Sequence, residues 1–413
     1  MKVLVTGAKG FIGKNLCVAL KRRVAVELIE FDIDSPPGLL EEGLSRADVI
    51  YHLAGVNRPE RVEEFTEGNF DLTRQICTTL ARLGRRPFLL LSSSMQALLS
   101  NPYGISKRRA EDAVFAFGKE TGAAVAVFRL PGVFGKWCRP NYNSVVATFC
   151  HNIARDLPIT VSNRNNEVNL VYVDDVCAAM MEASGILPPP YKHFVAADAS
   201  GFSDIMPSFK VTLGELVDTI TAFKNSRVSL HVPDFNDPFT YRLYATYLSY
   251  LEESNFAYGL DIKRDERGSL AEFLKSPSFG QIFISRTKPG ITRGNHFHHT
   301  KTEKFLVVEG EAVVRFRRIG KKSNELRVIS DKLQEASSKF EVQGSEFKVQ
   351  SSEDIIEYRV SGKEFRVVDI PPGYTHSIEN VGPGELVTLF WANQIFDPEQ
   401  PDTWFEEVGK SDK

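Results

Sequence analysis

Two patterns of apolar residues divide the 413-residue chain. Up to about residue 250, short apolar runs alternate with segments of helical spacing, and the runs begin at Val3, Val26, Val49 and Phe88. Strands that alternate with helices are typical of a parallel, doubly wound α/β sheet of the Rossmann kind. After about Tyr258, apolar and polar residues alternate in short segments between Gly and Pro turns, which predicts an antiparallel barrel. We therefore expect two domains, residues 1–250 and 251–413.

One tract breaks the strand pattern of the second domain. From about Ile319 to Ser352 the sequence is dense in Lys, Ser and Glu and has few large apolar residues. Without this tract, the strand-like segments on either side of it would follow one another as continuous strands of the barrel. We therefore expect an insertion at about 319–352 that lies on the surface of the barrel.

Three glycines follow the first predicted strand. Gly7, Gly10 and Gly13 form a G-x-x-G-x-x-G pattern, and Phe11 and Ile12 open the helix that follows. Glycines at this strand-to-helix turn allow the backbone to approach a pyrophosphate, which binds at the helix N-terminus. The pattern predicts that these five residues bind a nicotinamide dinucleotide.

Asp32 ends the second predicted strand and has two interpretations. An acid at this position can hydrogen-bond the adenosine ribose, which favours NAD. It can equally begin the turn into the following Ser-Pro-Pro-Gly segment. The sequence leaves both open, with Asp32 as a candidate cofactor ligand.

A serine run, a tyrosine and a lysine carry the candidate chemistry of the first domain. Tyr103 and Lys107 are four residues apart on a predicted helix and share a face. Lys107 can hold the cofactor ribose and lower the pKa of the phenol, which can then pass a proton to a carbonyl oxygen. Ser94 is the candidate for polarising that carbonyl, although Ser92 and Ser93 remain alternatives.

Three histidines and a glutamate carry the candidate chemistry of the second domain. His296 and His298 are separated by one residue, so on a strand both side chains point to one face. Glu303 follows closely, and His376 comes from a distant Pro/Gly turn. Imidazole nitrogens and a carboxylate suit zinc, nickel, copper and iron, so the four residues predict a site for zinc or another divalent ion.

Charge and cysteine content indicate the cellular compartment and the classes of partner that the protein lacks. The net charge of −3 gives no general attraction to nucleic acid or to an anionic membrane. Five cysteines without C-x-x-C pairing favour reduced thiols, and the N-terminus carries no secretory pattern. No apolar run is long enough to span a bilayer. We expect a cytoplasmic enzyme without nucleic-acid or membrane partners.

Both sets of motifs resemble known families. The TGxxGxxG loop, the serine run and Y-x-x-x-K resemble the extended short-chain dehydrogenase/reductase family over about residues 1–245. The spacing G-x5-H-x-H-x4-E-x6-G, from Gly290 to Gly310, resembles the first cupin motif, and P-x-G-x2-H-x3-N, from Pro371 to Asn380, resembles the second. One position departs from the cupin pattern, because Phe365 stands where a glycine is expected.

The order of the parts and many short strings, among them HLAGVNRPE, NPYGISK, YVDD and FDPEQPDT, resemble the CapF family of capsular polysaccharide biosynthesis proteins. That resemblance covers nearly the whole chain except the 319–352 tract. It implies a bifunctional enzyme that acts on a UDP-linked 2-acetamido-2,6-dideoxy-4-keto hexose. The cupin domain would epimerise C3, and the reductase domain would reduce the C4 ketone with NADPH, toward UDP-N-acetyl-L-fucosamine. NADH remains possible as the reductant, and we expect a homodimer.

Two other functions stay open at this point. The cupin domain could serve only regulation or assembly beside a lone reductase. The whole chain could also be an epimerase or dehydratase that recycles a tightly bound NAD. The sequence does not select a base for the cupin site among His299, Lys301 and Tyr374.

Overall fold

The computed structural model describes residues 1–196, 201–319, 350–352 and 355–409. The predicted insertion at 319–352 therefore lies almost entirely outside the described residues. The chain forms two compact units, the first comprising 1–224 with 235–256 and the second comprising 225–234 with 257–413. In the part of the chain that is described, no helix has the length and apolar character needed to cross a bilayer.

The described residues of the first unit include ten strands, which are β1 Lys2–Thr6, β2 Glu27–Phe31, β3 Val49–His52, β4 Phe88–Ser94, β5 Val125–Leu130, β6 Gly132–Phe134, β7 Glu167–Tyr172, β8 Phe194–Val195, β9 Phe202–Ile205 and β10 Phe209–Thr212. They form a seven-stranded sheet in the order β2-β1-β3-β4-β5-β9-β8 and a three-stranded sheet in the order β10-β7-β6. Strands β1 to β5 pair in parallel, and β9 joins them in parallel.

Helices connect these strands and cover both faces of the sheet. They are α1 Phe11–Lys21, α2 Leu39–Arg46, α3 Glu63–Phe65, α4 Leu72–Arg82, α5 Pro102–Thr121, α6 Val145–Ala154, α7 Val173–Ala183, α8 Leu213–Ser229 and α9 Pro238–Leu248. A wide helical turn, Thr66–Asp71, joins α3 to α4. Buried apolar residues of the central strands pack against α1 and α7 on one face and against α4 and α5 on the other.

Helix α5 begins and ends where its sequence directs. The side chain of Asn101 accepts a hydrogen bond from the backbone N–H of Gly104 at 2.7 Å, and Pro102 occupies the first helical position. Gly122 ends the helix in the left-handed conformation with φ of 72°. These two ends set which residues are helical, and packing of the buried helix face in the core sets the direction in which Tyr103 and Lys107 point.

The second unit is all-β. Its described residues form two six-stranded sheets, in the orders β11-β12-β13-β21-β15-β19 and β17-β18-β16-β20-β14-β22. The strands are β11 Ile262–Asp265, β12 Gly268–Ser276, β13 Gly280–Thr287, β14 Thr292–Phe297, β15 Glu303–Glu309, β16 Glu311–Arg318, β17 Gln350–Ser352, β18 Ile355–Ser361, β19 Val367–Ile370, β20 Tyr374–Asn380, β21 Leu386–Ala392 and β22 Trp404–Phe405.

All pairings within these two sheets are antiparallel, and the inner faces bury Phe305, Val314, Ile378 and Phe390. Together, the two units confirm the fold class predicted from the sequence, a Rossmann-like parallel sheet followed by an antiparallel β unit of the cupin type.

The residue that departs from the cupin motif adopts a glycine-like backbone. Phe365 has φ of 45°, and its side chain is 65% exposed. A left-handed backbone costs a residue with a Cβ roughly 1–2 kcal/mol. Glycine at the same position would remove that cost. It would also lower the free energy of unfolding by about 0.4–1 kcal/mol, because it increases the conformational entropy of the unfolded chain.

We therefore expect Phe365→Gly to raise the free energy of unfolding by about 0.5–1 kcal/mol. Denaturant unfolding of the full chain measures the change. Phe365→Ala is the matched control, because it removes the same ring but keeps the left-handed strain. A glycine variant that is less stable than the alanine variant by about 0.4–1 kcal/mol would show that the backbone conformation is not strained.

Candidate functional site

The glycine loop between β1 and α1 requires glycine at two of its positions. Gly7 has φ of 71°, and a Cβ there would lie 2.7 Å from the backbone nitrogen of Ala54. A Cβ on Gly13 would lie 2.1 Å from the carbonyl oxygen of Gly7. Gly10 caps α1, whose first residues are Phe11 and Ile12. The close-packed loop leaves helix N–H groups available for a phosphate, so it fits the dinucleotide predicted from the sequence.

Asp32 follows β2 and faces this loop. Its carboxylate accepts hydrogen bonds from the backbone N–H groups of Lys9 at 2.7 Å and Ile33 at 2.8 Å. Its own N–H donates to the Ser35 hydroxyl at 2.8 Å, so Asp32 also begins the turn. A groove of about 1060 Å³ opens beside Asp32. Its walls are the segment after β2, the segment after β3 and helix α4, and its lining residues include Ile33, Val56, Arg61, Leu72 and Arg74.

Ser94, Tyr103 and Lys107 come together at the carboxyl end of β4. The Ser94 side chain lies beside the phenol of Tyr103, whose pKa burial raises. Lys107 is buried, and its Nζ donates to the carbonyl oxygen of Ser92 at 3.2 Å. Burial lowers the pKa of Lys107 to about 8. The group can therefore combine a protonated phenol, a nearby ammonium and a hydroxyl in one place.

The geometry separates the three serines that the sequence left as alternatives. The Ser93 hydroxyl donates to the carboxylate of Glu111, inside the protein. Ser92 is buried and contributes its backbone carbonyl to Lys107. Ser94 is the serine whose side chain contacts the phenol of Tyr103. These contacts favour Ser94 over its two neighbours.

Sequence reasoning missed Asn69, which lies in the wide turn Thr66–Asp71. Its amide donates to the Ser106 hydroxyl at 3.0 Å. A Cβ on Gly55 would lie 2.6 Å from Asn69 Oδ1 and 3.1 Å from Lys107 Nζ, so both polar groups border the same backbone. Wide helical turns occur frequently at functional sites. Helical periodicity does not distinguish such a turn from a regular one, so the sequence carried no signal for it.

His52 joins the glycine loop to this turn through buried hydrogen bonds. The Thr73 hydroxyl donates to the Asn69 carbonyl at 2.6 Å, so it accepts from His52 Nε2–H, 2.9 Å away. His52 Nδ1 then accepts from the Thr6 hydroxyl at 2.7 Å. Burial lowers the pKa of His52 to about 3, with Lys107 adding to the effect. The ring is therefore neutral and holds one tautomer.

A bulge in β14 positions the first predicted metal ligand. Gly294 and Asn295 have φ of 94° and 58°, and the pairing with β20 shifts register between Gly294 and His296. Bulges of this kind re-aim the side chains beside them. His296 pairs directly with His376, and the two ring centroids are 4.5 Å apart.

His298 and Glu303 complete the cluster. The sequence placed both first-motif histidines on one strand, but β14 ends at Phe297 and His298 lies just beyond it. Its ring centroid is still 5.0 Å from that of His296 and 5.3 Å from that of His376. Glu303 begins β15. One potential ligand atom from each of the four residues lies within 4.8 Å of the others.

Unpartnered nitrogens in this cluster fit a metal ion. His298, Glu303 and His376 are 1%, 8% and 0% exposed. Within the described residues, Nε2 of His298 and both ring nitrogens of His376 lack hydrogen-bond partners. Glu303 Oε2 lies 3.4 Å from each Nε2, within ion-pair range but without hydrogen-bond geometry. A divalent ion would satisfy these atoms together, and three imidazoles with a carboxylate suit one.

The protonation states also suit a metal. Burial lowers the pKa of His296 to about 4, and His376 adds to the effect. Burial opposes ionisation of Glu303, but contacts with His298 and His376 outweigh it and hold the carboxyl pKa below its ordinary value. Metal ions bind neutral imidazole and ionised carboxylate, the states that these shifts favour.

Asp402 anchors the segment that carries His298, a role that the sequence motifs did not indicate. Its carboxylate accepts the backbone N–H groups of His299, Thr300 and Lys301 at 2.9, 2.7 and 2.9 Å. Its backbone carbonyl accepts Nδ1–H of His298 at 2.5 Å. That hydrogen bond leaves Nε2 of His298 as the ligand atom, which is the usual arrangement around protein-bound metals.

The three residues that the sequence considered as the cupin base differ in their position. The His299 side chain is exposed, and Tyr374 packs against the apolar core of the second unit. Lys301 is largely buried, and its Nζ lies 3.9 Å from Oε1 of Glu303. Lys301 is thus the candidate with a polar atom beside the histidine cluster.

Comparisons with known proteins bear on both units. The NAD dependent epimerase/dehydratase family matches residues 3–185, and the Polysaccharide biosynthesis C-terminal domain matches 263–342 and 338–404. The family and the loop geometry together support a nicotinamide cofactor for the first unit.

Relatives match over the full length. A Pseudomonas aeruginosa protein named UDP-2-acetamido-2,6-beta-L-arabino-hexul-4-ose reductase is 41% identical over 410 residues, covering 99% of this chain and 100% of the relative. The crystal structure of the capsular polysaccharide assembling protein CapF from Staphylococcus aureus superposes with a TM-score of 0.84 at 44% identity, covering 99% and 100% of the two chains. A CapF structure with the inhibitor 3-isopropenyl-tropolone gives a TM-score of 0.80 at 40% identity, with the same coverage. The chain therefore belongs to the CapF family, as its sequence motifs predicted.

Proposed function

We propose that the chain is a bifunctional nucleotide-sugar enzyme. Its second unit epimerises C3 of a UDP-2-acetamido-2,6-dideoxy-4-keto-hexose, and its first unit then reduces the C4 ketone with NADPH. The product leads toward UDP-N-acetyl-L-fucosamine for a capsular or surface polysaccharide. The observation that carries the proposal is the full-length similarity to a protein named as a UDP-hexulose reductase, in a chain that brings Ser94, Tyr103 and Lys107 together.

In the reduction, Tyr103 gives its phenolic proton to the ketone oxygen. A nicotinamide bound at the glycine loop supplies the hydride to C4, so one ketone, one hydride and one proton give one alcohol. The raised pKa of Tyr103 keeps the phenol protonated at neutral pH, as an acid requires. The Lys107 ammonium stabilises the phenolate that remains. Ser94 orients the carbonyl beside the phenol.

In the epimerisation, a base of the second unit removes the C3 proton, and a proton returns to the opposite face. That proton is acidic because the C4 carbonyl delocalises the charge left on C3. A divalent ion held by His296, His298, Glu303 and His376 would supply charge stabilisation at a developing oxyanion, or it would only order the site. The reaction has no net change of atoms, but it exchanges C3 hydrogen with solvent.

NADPH is the proposed reductant, with NADH as the alternative. Both carboxylate oxygens of Asp32 already accept backbone N–H groups, those of Lys9 and Ile33, which reduces their availability to a ribose hydroxyl. These contacts of Asp32 support NADPH despite the acid after β2. The Lys9 ammonium at the same edge pairs with Asp34, so it would have to exchange that partner for a 2′-phosphate.

A lone reductase with a structural second unit is the second candidate. The name of the Pseudomonas aeruginosa relative favours it, because that name specifies a reductase and no epimerase. The two functions differ in the fate of C3. A lone reductase leaves its stereochemistry and its hydrogen unchanged.

The test is to incubate the protein in D2O with a UDP-4-keto-6-deoxy-HexNAc and either NADPH or NADH, then analyse the product by NMR. We expect one cofactor oxidised per alcohol formed, a higher kcat/KM with NADPH, and deuterium at an inverted C3. A product with unchanged C3 would support the lone reductase. Turnover without net oxidation of cofactor would exclude both and indicate an enzyme that recycles NAD.

A further inference from the structure

One face of α5 contacts the end of β4 at three successive levels. The residues at 103, 107 and 111 are one helical turn apart, so their side chains form a row. At the first two levels, the phenol of Tyr103 contacts Ser94 and the ammonium of Lys107 contacts the carbonyl oxygen of Ser92. The third level is Glu111, which accepts the hydroxyl of Ser93. The catalytic candidates therefore occupy two of the three levels, and the third carries a carboxylate that the proposed reaction does not use.

Glu111 is a buried and fully engaged charge. It is 1% exposed, and its oxygens accept Nε of Arg129 at 3.0 Å and Nη2 at 2.6 Å in addition to the Ser93 hydroxyl. The guanidinium carbon of Arg129 lies 3.6 Å from the centroid of the Phe202 ring. Bidentate pairing of this kind fixes geometry as well as charge. The carboxylate is consequently held in one position, one turn beyond Lys107.

Within the described residues, the titratable groups that act on Lys107 are Glu111 on α5 and the neutral ring of His52 on β3. Tyr103 shares the same helix face, and Arg129 on β5 reaches this region through its pairing with Glu111. Burial lowers the pKa of Lys107, and the charge of Glu111 opposes that effect. Asn69 borders the same space without charge. Glu111 is therefore the anion that favours the protonated lysine.

We propose that Glu111, held by Arg129, is a positioning residue for the ketone reduction. It aligns the end of β4 through Ser93 and keeps the Lys107 ammonium charged beside the proton-donating phenol. This inference rests on the proposed reductase function. Glu111 itself contacts neither the substrate nor the cofactor in this role, because its oxygens are already bound to Arg129 and Ser93.

Glu111→Gln tests the proposal through the pH dependence of cofactor oxidation. In the wild-type protein, the rate should fall as pH rises through about 8, where Lys107 loses its proton. The neutral amide no longer favours the protonated lysine, so this fall should move to lower pH by about one unit. We expect kcat at pH 8 to drop about fivefold, because the protonated fraction of Lys107 would fall from about one half to about one tenth, with KM for the cofactor little changed.

Two comparisons make the result decisive. Glu120→Gln, on the exposed part of the same helix, should leave both kcat and the pH profile at wild-type values. Ser93→Ala removes the contact with β4 but keeps the charge, so it should lower kcat without moving the pH profile. Ser93→Ala also tests the positioning role if Glu111→Gln does not fold, as judged by circular dichroism.

An unchanged pH profile in folded Glu111→Gln, or an unchanged kcat in Ser93→Ala, would overturn the inference while the wild-type protein remains an active reductase. A wild-type protein that oxidises no reduced cofactor with the 4-keto sugar would instead overturn the proposed function, and this inference with it. The two failures are therefore distinguishable in one set of assays.

Discussion

Replacing Tyr103 with Phe is expected to slow ketone-dependent oxidation of the reduced cofactor by about 100-fold to 10,000-fold, the usual contribution of a positioned proton donor. The phenol contacts Ser94 and shares a helix face with Lys107, whereas the ring itself packs 5.5 Å from Phe65. Phe keeps the ring and loses only the hydroxyl. The fold and the cofactor affinity should therefore survive, and the loss should appear in kcat.

Stopped-flow or steady-state absorbance of the cofactor measures the effect, and circular dichroism checks the fold. Tyr241→Phe is the matched control, since that tyrosine is 59% exposed and lies on α9. Exchange of C3 hydrogen with solvent should continue at the wild-type rate in Tyr103→Phe, because we assign that proposed reaction to the second unit. A variant that retains most of its reductase rate would show that another group donates the proton.

Replacing His376 with Ala is expected to remove the metal and with it the C3 exchange. His376 is fully buried at the centre of the cluster, opposite His296. We expect roughly one divalent ion per chain in the wild-type protein, because the four residues form one ligand set. The ion should stabilise the folded state by about 2.7 kcal/mol when free metal is 100-fold above Kd. His376→Ala should lose that metal-dependent stabilisation.

Elemental analysis, thermal unfolding with and without chelator, and deuterium incorporation at C3 without reduced cofactor measure the three effects. His231→Ala is the control, because this histidine of the second unit is exposed and outside the cluster. Reduction of a ketone that already has the inverted C3 should continue in His376→Ala. Metal-free protein that exchanges C3 hydrogen at the wild-type rate would restrict the ion to a structural role, and metal-free wild type would remove the site.

The sequence predicted most elements because local patterns and tertiary packing agree. Thr212 and Glu215 form a capping box at α8, with the Glu215 carboxylate accepting the Thr212 N–H at 2.8 Å and the Glu215 N–H donating to the Thr212 hydroxyl at 3.1 Å. Strand β4 is longer than its apolar run, because pairing with β5 continues through the three serines to Leu130. Polar residues at the end of a parallel strand carry no periodic signal of their own.

The candidate sites were predictable where chemistry follows short motifs and not where it depends on long-range register. Spacing alone selected His296, His298, Glu303 and His376 as candidates. The bulge at Gly294, which sets the pairing of His296 with His376, could not be predicted from the sequence because a bulge depends on the partner strand. The sequence could not select Ser94 among the three serines, because the selection depends on how α5 is rotated relative to β4. Likewise, Glu111 resembles any solvated helix residue until β5 brings Arg129 to it.

The anchoring role of Asp402 has a consequence for the order of assembly during synthesis. The backbone groups that it holds at His299 precede it by 103 residues. At a translation rate of about 5–20 residues per second, the histidines of the first motif emerge from the ribosome at least about 5 seconds before the residue that orients His298. The first unit can fold while this occurs, but the histidine cluster can be completed only after nearly all of the second unit has been made. An ion that bound earlier would meet a partly formed ligand set, so the proposed metal binding belongs to the last stage of folding.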